Sequence, residues 1–347
     1  MITETKMPQA TLGQGGPIVS RLALGTMTFG AETDEQGAFA QLDLFASRSG
    51  TFIDTADVYS AGASEQMIGK WGKARGGLDD MVIATKGRFS PPPKGSHGAS
   101  RRGLTRAVEG SLKRLGQEAI DVYFVHGWDR HTPIVDTLAT LTDLVKAGKI
   151  HNIAWSNVSG WQLQKIVSTA QAEGFVVPVA MQPQYKLLER GIEAEVLPCC
   201  LENNISLTPW SPLGGGWLTG KHSAANRPRG ATRLGEDPNR GVEAYDIRNT
   251  DRTYRILDVV EAIATRHTRP MTHVALAWLL ARPGVSSVLL GARDVDQLQV
   301  SIDAYDFTLE PAEMAALSFA SSNGPLHYPY NFLENWCDID VWKRLQC

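Results

Sequence analysis

Eight short apolar runs, rich in β-branched and aromatic residues, return along this chain with helix-like segments between them. They are RLALG (21–25), TFID (51–54), MVIATK (81–86), DVYFVH (121–126), IHNIAW (150–155), VPVAMQ (177–182), ISLTPW (205–210) and SSVLLG (286–291). Mostly apolar strands that alternate with helices predict a parallel sheet covered on both faces. Eight such units favour closure, so the expected fold class is α/β, a (β/α)8 TIM barrel. The intervening segments fit: in RRGLTRAVEGSLKRLG (101–116), Leu104, Val108, Leu112 and Leu115 recur at helical spacing and Gly116 is a plausible stop. Length alone would suggest two domains for 347 residues, but barrels of this size are commonly one, so 1–347 is read as a single domain.

Three segments stand outside the rhythm. QATLGQGGPIVS (9–20) reads as an N-terminal hairpin within 1–20, turning at GQGG and placed to plug the bottom of the barrel. A long Gly/Pro/Arg-rich connection over 213–251 follows the seventh strand and is expected on the catalytic face as a cofactor or substrate loop. The tail, 324–347, carries Tyr328, Tyr330, Phe332, Trp336 and Trp342, either as a strap on the barrel or as part of a pocket rim.

Composition excludes several classes. Net charge is −3 and the most basic stretch, RRGLTR (101–106), reads as a solvated helix start, so no nucleic-acid partner is expected. No apolar stretch approaches the ~20 residues of a membrane span. The first residues show no apolar core of a signal peptide. Cys199, Cys200, Cys337 and Cys347 lack CxxC spacing, which argues against a zinc site or disulfide framework and fits a cytoplasmic protein. GQGG (13–16) is no dinucleotide fingerprint, because Ile18 stands where the third glycine belongs. His126 and His131 have no third ligand in the pattern, so no metal is expected.

The chemistry sits at strand ends. Asp54 ends the second run, Tyr59 follows five residues later, Lys86 ends the third and His126 ends the fourth. A parallel barrel gathers those ends on one face. A free phenol, with a pKa of about 10, is a poor acid at neutral pH; a neighbouring cation stabilises the phenolate and makes it a better one. Lys86 supplies that cation, Asp54 holds it, and a neutral His126 orients a carbonyl. The expected catalytic residues are therefore Asp54, Tyr59, Lys86 and His126.

At this point the chain resembles the aldo-keto reductase superfamily, from LALGTMTFG (22–30) to GARDVDQL (291–298), through FIDTADVYSAGASEQMIGKW, VIATKG, LGQEAIDVYFVHGWD, WSN and TPWSPLGGGWLTGK. The resemblance implies an NAD(P)H-dependent oxidoreductase that transfers hydride to an aldehyde or ketone, with Tyr59 as general acid. NADP is preferred and NAD is possible. It also implies the cofactor contacts: Gly25, Thr26 and Met27 at the nicotinamide ribose, Ser156, Asn157 and Gln182 at the carboxamide, and Trp210 stacked on the ring. Ser211, Pro212, Leu213, Gly214 and Gly215 would wrap the pyrophosphate with Lys221 and Arg233; Gly291, Arg293, Gln297 and Ser301 would meet the adenosine end. Val300 and Ser301 depart from the Glu and Asn common there, and Trp155 precedes Ser156 where a smaller residue often stands. Phe29, Trp128, Trp217 and the tail aromatics are candidate pocket residues, which suits a bulky or cyclic apolar carbonyl. The partner is a small-molecule carbonyl or alcohol, and the sequence carries no interface signature.

Other classes remain open at this stage. The reverse reaction, an NAD(P)+-dependent dehydrogenase of a secondary alcohol or sugar, uses the same residues. More remote are a Schiff-base aldolase with Lys86 as nucleophile and a non-catalytic NADP-binding regulatory subunit.

Overall fold

A computed structural model describes residues 6–91, 94, 96–223, 225, 227–229, 234, 241–337 and 339–342. Its centre is an eight-stranded parallel sheet: β3 (Leu22–Gly25), β4 (Phe52–Asp54), β5 (Val82–Gly87), β6 (Ile120–Val125), β7 (Ile150–Ser156), β8 (Ala180–Gln182), β9 (Ser206–Leu207) and β10 (Val288–Leu290). β10 pairs with β3, and backbone bonds from Leu207 N to Gly284 O and from Ser286 N to Leu207 O join the two ends. The sheet thus closes as the eight-run pattern predicted.

The seventh and sixth runs shorten to two and three residues, because Pro178 and Pro209 have no N–H to give to a ladder. Pairing continues around them, with Val179 N on Ile153 O, Thr208 N on Met181 O and an isolated bridge between Gln184 and Trp210.

Alternation decides which side chains face inward. Ala23, Phe52, Ala84, Val122, Phe124, Ala154, Ala180 and Leu289 pack together inside the barrel. Their neighbours Leu24, Ile53, Tyr123, Val125, Ile153, Trp155 and Leu290 pack outward under the helices. Trp155 is therefore core packing and does not narrow the pocket. The hairpin of β1 (Gln9–Thr11) and β2 (Ile18–Ser20) closes the N-terminal end, with Leu12 and Val19 in the same cluster as the barrel interior. At its tip Gly13 (φ +59°) lies so close to Val179 O that no Cβ would fit.

Helices α1 (Glu35–Ser47), α2 (Ala63–Arg75), α3 (Arg101–Leu115), α4 (Ile134–Lys146), α5 (Gly160–Glu173) and α6 (Val196–Glu202) follow β3 to β8 in turn. Local signals set their ends. Asp34 and Ser100 accept backbone N–H bonds at the starts of α1 and α3, Ser159 and Gln162 form a capping box on α5, and Gly116 and Gly174 end α3 and α5 in the left-handed region. Leu104, Val108, Leu112 and Leu115 are all buried.

After β9 come a turn over Gly214–Thr219, α7 (Tyr245–Arg248), α8 (Asp251–His267) and α9 (Met271–Leu280); α10 (Val295–Ile302) and α11 (Pro311–Ala320) follow β10. In the tail, α12 (Tyr330–Trp336) is held by Tyr330 Oη on Glu195 and by Trp342 Nε1 on Ala194 O. Its Tyr328, Phe332 and Trp336 remain exposed. No helix among the described residues is long and apolar enough to cross a membrane.

Candidate active site

The period of two explains why three strand ends converge. Phe52 faces in, Ile53 out and Asp54 in; Ala84 faces in, Thr85 out and Lys86 in; Phe124 faces in, Val125 out, and His126 continues the inward row. The ladder sets Asp54 opposite Ala84 and Lys86 opposite Phe124, so each functional group sits higher than the last as the strands stagger round the barrel.

Lys86 is fully buried, and its Nζ donates to Asp54 Oδ1 at 2.5 Å and to Thr55 O at 2.8 Å. It also lies 3.5 Å from Tyr59 Oη. The second carboxylate oxygen of Asp54 accepts from Gln182 Nε2 at 2.8 Å. Burial pushes the Asp54 carboxyl up, against the pull of Lys86 and Gln182. Burial alone would lower Lys86, but Asp54 and Tyr59 hold it above the ordinary lysine value. A buried ammonium is thus kept charged beside a phenol.

Tyr59 opens a tight 3-10 turn, Tyr59–Gly62, in which Ser60 (φ +47°) and Ala61 (φ +53°) are left-handed. Two consecutive non-glycine residues in that region cost on the order of 1–3 kcal/mol each. The turn is held by Ser60 Oγ on Phe29 O and by Asp57 N on Lys86 O. That strain is invisible in the sequence SAG and fixes where the phenol points.

His126 is fastened by its own N–H to Gly87 O. Its ring meets Tyr59 edge-on at 6.1 Å and Phe89 at 4.7 Å. Burial, then the charges of Lys86 and Arg88, lower its pKa to about 3, so the imidazole is neutral at physiological pH. Its Nδ1 is buried without a hydrogen-bond partner among the described residues.

A chain of bonds links this cluster to the residues expected at a nicotinamide. Ser156 Oγ donates to Gln182 O, Asn157 Nδ2 to His126 O, and Trp210 Nε1 to Asn157 Oδ1. Trp210 is half-buried and Asn157 exposed, whereas Ser156 and Gln182 are buried. Beyond Trp210 the backbone turns left-handed at Ser211 (φ +55°) and again at Gly214, Gly215 and Gly216. Pro212 is buried, Leu213 half-buried, and Lys221 lies against the bare Cα of Gly216.

Gly25 borders Leu290 O, Met27 is exposed, and the Thr26 hydroxyl is turned inward onto Asp54 O. At the other end Gly291 faces open space, Arg293 pairs with Glu32 at 2.9 Å, and Gln297 is exposed. Ser301 is buried, with its Oγ on Gln297 O. Arg233 lies outside the described residues.

The left-handed glycine turn, the half-open indole face and the bare Gly291 fit a nicotinamide dinucleotide. Backbone N–H groups at a glycine turn can approach phosphate oxygens, and Lys221 adds a cation.

Two pocket expectations fail. Phe29 is fully buried in the core, and Trp217 is fully buried too, with its Nε1 on Glu243 O and its ring stacked on Tyr245. Both runs read as loop sequence, but tertiary packing turns the rings inward. The aromatic rim is built instead by Phe89, 46% exposed, and by Trp128 packed edge-on against Trp161, which is 58% exposed. No motif in the sequence marks Phe89 or Trp161 as rim residues. Their signal is position alone: Phe89 lies three residues past Lys86, and Trp161 is in the first turn of the helix after Ser156.

Comparison with known proteins agrees with this geometry. The profile of the Aldo/keto reductase family matches residues 21–321. The chain is 36% identical to the uncharacterized oxidoreductase YrpG of Bacillus subtilis, over 88% of this chain and 93% of that protein. It is 31% identical to norsolorinic acid reductase B of Aspergillus parasiticus, over 91% and 84%. An NADP(+) aryl-alcohol dehydrogenase of Phanerodontia chrysosporium is 28% identical, over 93% and 88%. The chain is an oxidoreductase that belongs to the Aldo/keto reductase family.

Proposed function

We propose that this protein reduces the carbonyl group of an aromatic aldehyde or ketone with a nicotinamide cofactor, NADPH in preference to NADH, and that Tyr59 is the proton donor. The observation that carries the reading is the buried Lys86 ammonium, shared between Asp54 and the Tyr59 phenol beside a neutral His126.

Ser156, Asn157, Gln182, Trp210, the 211–215 turn, Lys221 and Arg293 are the residues that would hold the dinucleotide. When bound, the reduced nicotinamide supplies the hydride that carbonyl reduction requires. The chain supplies the rest. The carbonyl oxygen lies between Tyr59 and His126, where an uncharged imidazole orients it without competing for the proton. Tyr59 Oη gives its proton to that oxygen as the alcohol forms. The phenolate left behind is stabilised by Lys86, whose own charge is fixed by Asp54 and Thr55 O. Gln182, by occupying the second oxygen of Asp54, keeps that carboxylate turned toward Lys86.

The rim of Phe89, Trp128 and Trp161 favours a flat, apolar carbonyl compound, because exposed aromatic faces recover buried area when another ring stacks on them. Two of the relatives bear names of enzymes acting on aromatic compounds, which supports the same substrate class. Alcohol oxidation uses the same atoms in reverse, with the Tyr59 phenolate accepting the proton. A Schiff base on Lys86 is disfavoured, since an ammonium held in three directions has no lone pair for attack.

The test is loss of NADPH absorbance with benzaldehyde and with a short aliphatic aldehyde, in wild type and in Tyr59→Phe. Turnover that prefers the aromatic substrate and collapses in the variant supports the reading. An unimpaired variant removes Tyr59 from the mechanism.

A further inference from the structure

Beneath the 211–216 turn lies a buried ion cluster that the mechanism leaves unused. Lys186, 1% exposed, sits in a tight turn after β8 and gives its ammonium to Glu243 Oε1 at 2.6 Å. The same oxygen accepts from Gln184 Nε2 at 2.8 Å and from Ser211 Oγ at 3.1 Å; Glu243 Oε2 accepts from Arg248 Nε at 3.1 Å. Arg248 also reaches Glu189 at 3.5 Å. A Cβ on Gly214 would stand 3.5 Å from Lys186 Cε and 3.6 Å from Glu243 Oε2, and one on Gly215 would stand 3.4 Å from Glu243 Cβ. The glycine turn therefore rests directly on the cluster, and Lys186 Nζ lies 5.9 Å from the Trp210 ring centroid.

That arrangement poses an electrostatic problem. Glu243 is the group that fastens Ser211, and so the turn, to the 241–248 segment. It is also a carboxylate below a turn suited to a diphosphate. Burial pushes Glu243 up, but Lys186 and Arg248 together hold it below the usual carboxylate range, so it stays ionised. Lys186 and Arg248 carry two positive charges against the negative charges of Glu243 and Glu189, and removing Lys186 leaves the cluster net negative.

We propose that Lys186 is a positioning residue for the dinucleotide: by neutralising Glu243 it lets a carboxylate pin the diphosphate turn without repelling the phosphates above it. The proposal rests on the cofactor reading of the preceding section. Lys186 acts through Glu243 and touches no reacting atom.

The experiment is equilibrium binding of NADPH to the full chain, followed by tryptophan fluorescence quenching. The proteins compared are wild type, Lys186→Met, Glu243→Gln and the double variant. Lys186→Met is expected to weaken binding by about tenfold or more, the effect of one repelling charge a few ångströms away in a poorly screened site. Glu243→Gln keeps the acceptor oxygen for Ser211 and removes the charge, so it is expected to bind NADPH at least as tightly as wild type. The double variant is expected to recover most of the loss, because no unpaired buried carboxylate remains.

A purely structural latch predicts weaker binding for both single variants and no recovery, and that pattern overturns the proposal, as does wild-type affinity in Lys186→Met. If Lys186→Met does not fold, the sign of the Glu243→Gln effect decides: weaker binding overturns the proposal. A wild-type chain that binds no NADPH removes the cofactor reading and this inference with it. Wild-type binding with the wrong variant pattern removes the inference alone.

Discussion

Replacing His126 with asparagine should make the stability of this protein less sensitive to acid. In the unfolded chain a histidine takes up its proton near pH 6.5. In the folded protein burial, Lys86 and Arg88 delay that until about 3. The folded pKa of this base is depressed, so its neutral form contributes fully above about pH 6.5. The contribution is lost as pH falls from there toward 3, where the unfolded state binds a proton that the folded state refuses. The loss amounts to about 1.4 kcal/mol per pH unit, or about 3 kcal/mol between pH 6.5 and pH 4.5. The ring is partly exposed, which makes this an upper value. Any packing cost of asparagine does not depend on pH and cancels in the comparison. Urea unfolding of both proteins, followed by tryptophan fluorescence at about pH 7.5, 5.5 and 4.5, measures the difference. The gap between wild type and variant should shift by up to about 3 kcal/mol in favour of the variant on acidification. Parallel pH dependence would refute the argument, as would an imidazole that titrates near pH 6.5 in the folded protein by NMR. Either result would also show that the folded environment is not what keeps the histidine neutral.

Asp57 carries the opposite sign. Burial raises its pKa from 3.8 to about 6 despite a hydrogen bond from Ser90, so its charge destabilises the fold as pH rises through that window. Asp57→Asn should be more stable by up to about 3 kcal/mol at pH 8, with the gain gone below about pH 4; a variant less stable at pH 8 contradicts this. Gly69→Ala puts a Cβ 2.5 Å from Arg114 O and 2.7 Å from Leu115 O, where α2 meets the end of α3. That clash should outweigh the helix-propensity gain of about 1 kcal/mol, for a net loss on the order of 2 kcal/mol in chemical denaturation. Trp161→Ala, at the exposed half of the Trp128 pair, should raise KM for benzaldehyde by roughly fivefold, as expected for about 1 kcal/mol of lost aromatic contact, and leave a short aliphatic aldehyde unaffected. Equal effects on both substrates would take Trp161 out of the rim.

The barrel was legible because its signal is periodic and local. Eight apolar runs, the helical spacing of Leu104, Val108, Leu112 and Leu115, and the stop at Gly116 each act within a few residues of themselves. Alternation then obliges Asp54, Lys86 and His126 to share one face once the strands are parallel. The sequence alone therefore determined the fold class and the convergence of the candidate catalytic group. It marked the long strands well and overextended β8 and β9, where Pro178 and Pro209 interrupt the ladder.

What only the tertiary structure decided are contacts between residues far apart along the chain, whose pairing no local pattern encodes. Gln182 reaches Asp54 across 128 positions, and Lys186 reaches Glu243 across 57. Phe29 and Trp217 turned inward while Phe89 and Trp161 stayed at the surface, although all four are aromatic residues that follow strand ends. Whether a ring is buried depends on what packs over it, and whether a carboxylate stays charged depends on which cation arrives beside it. Both are properties of the closed barrel, set by neighbours that meet only when the chain folds.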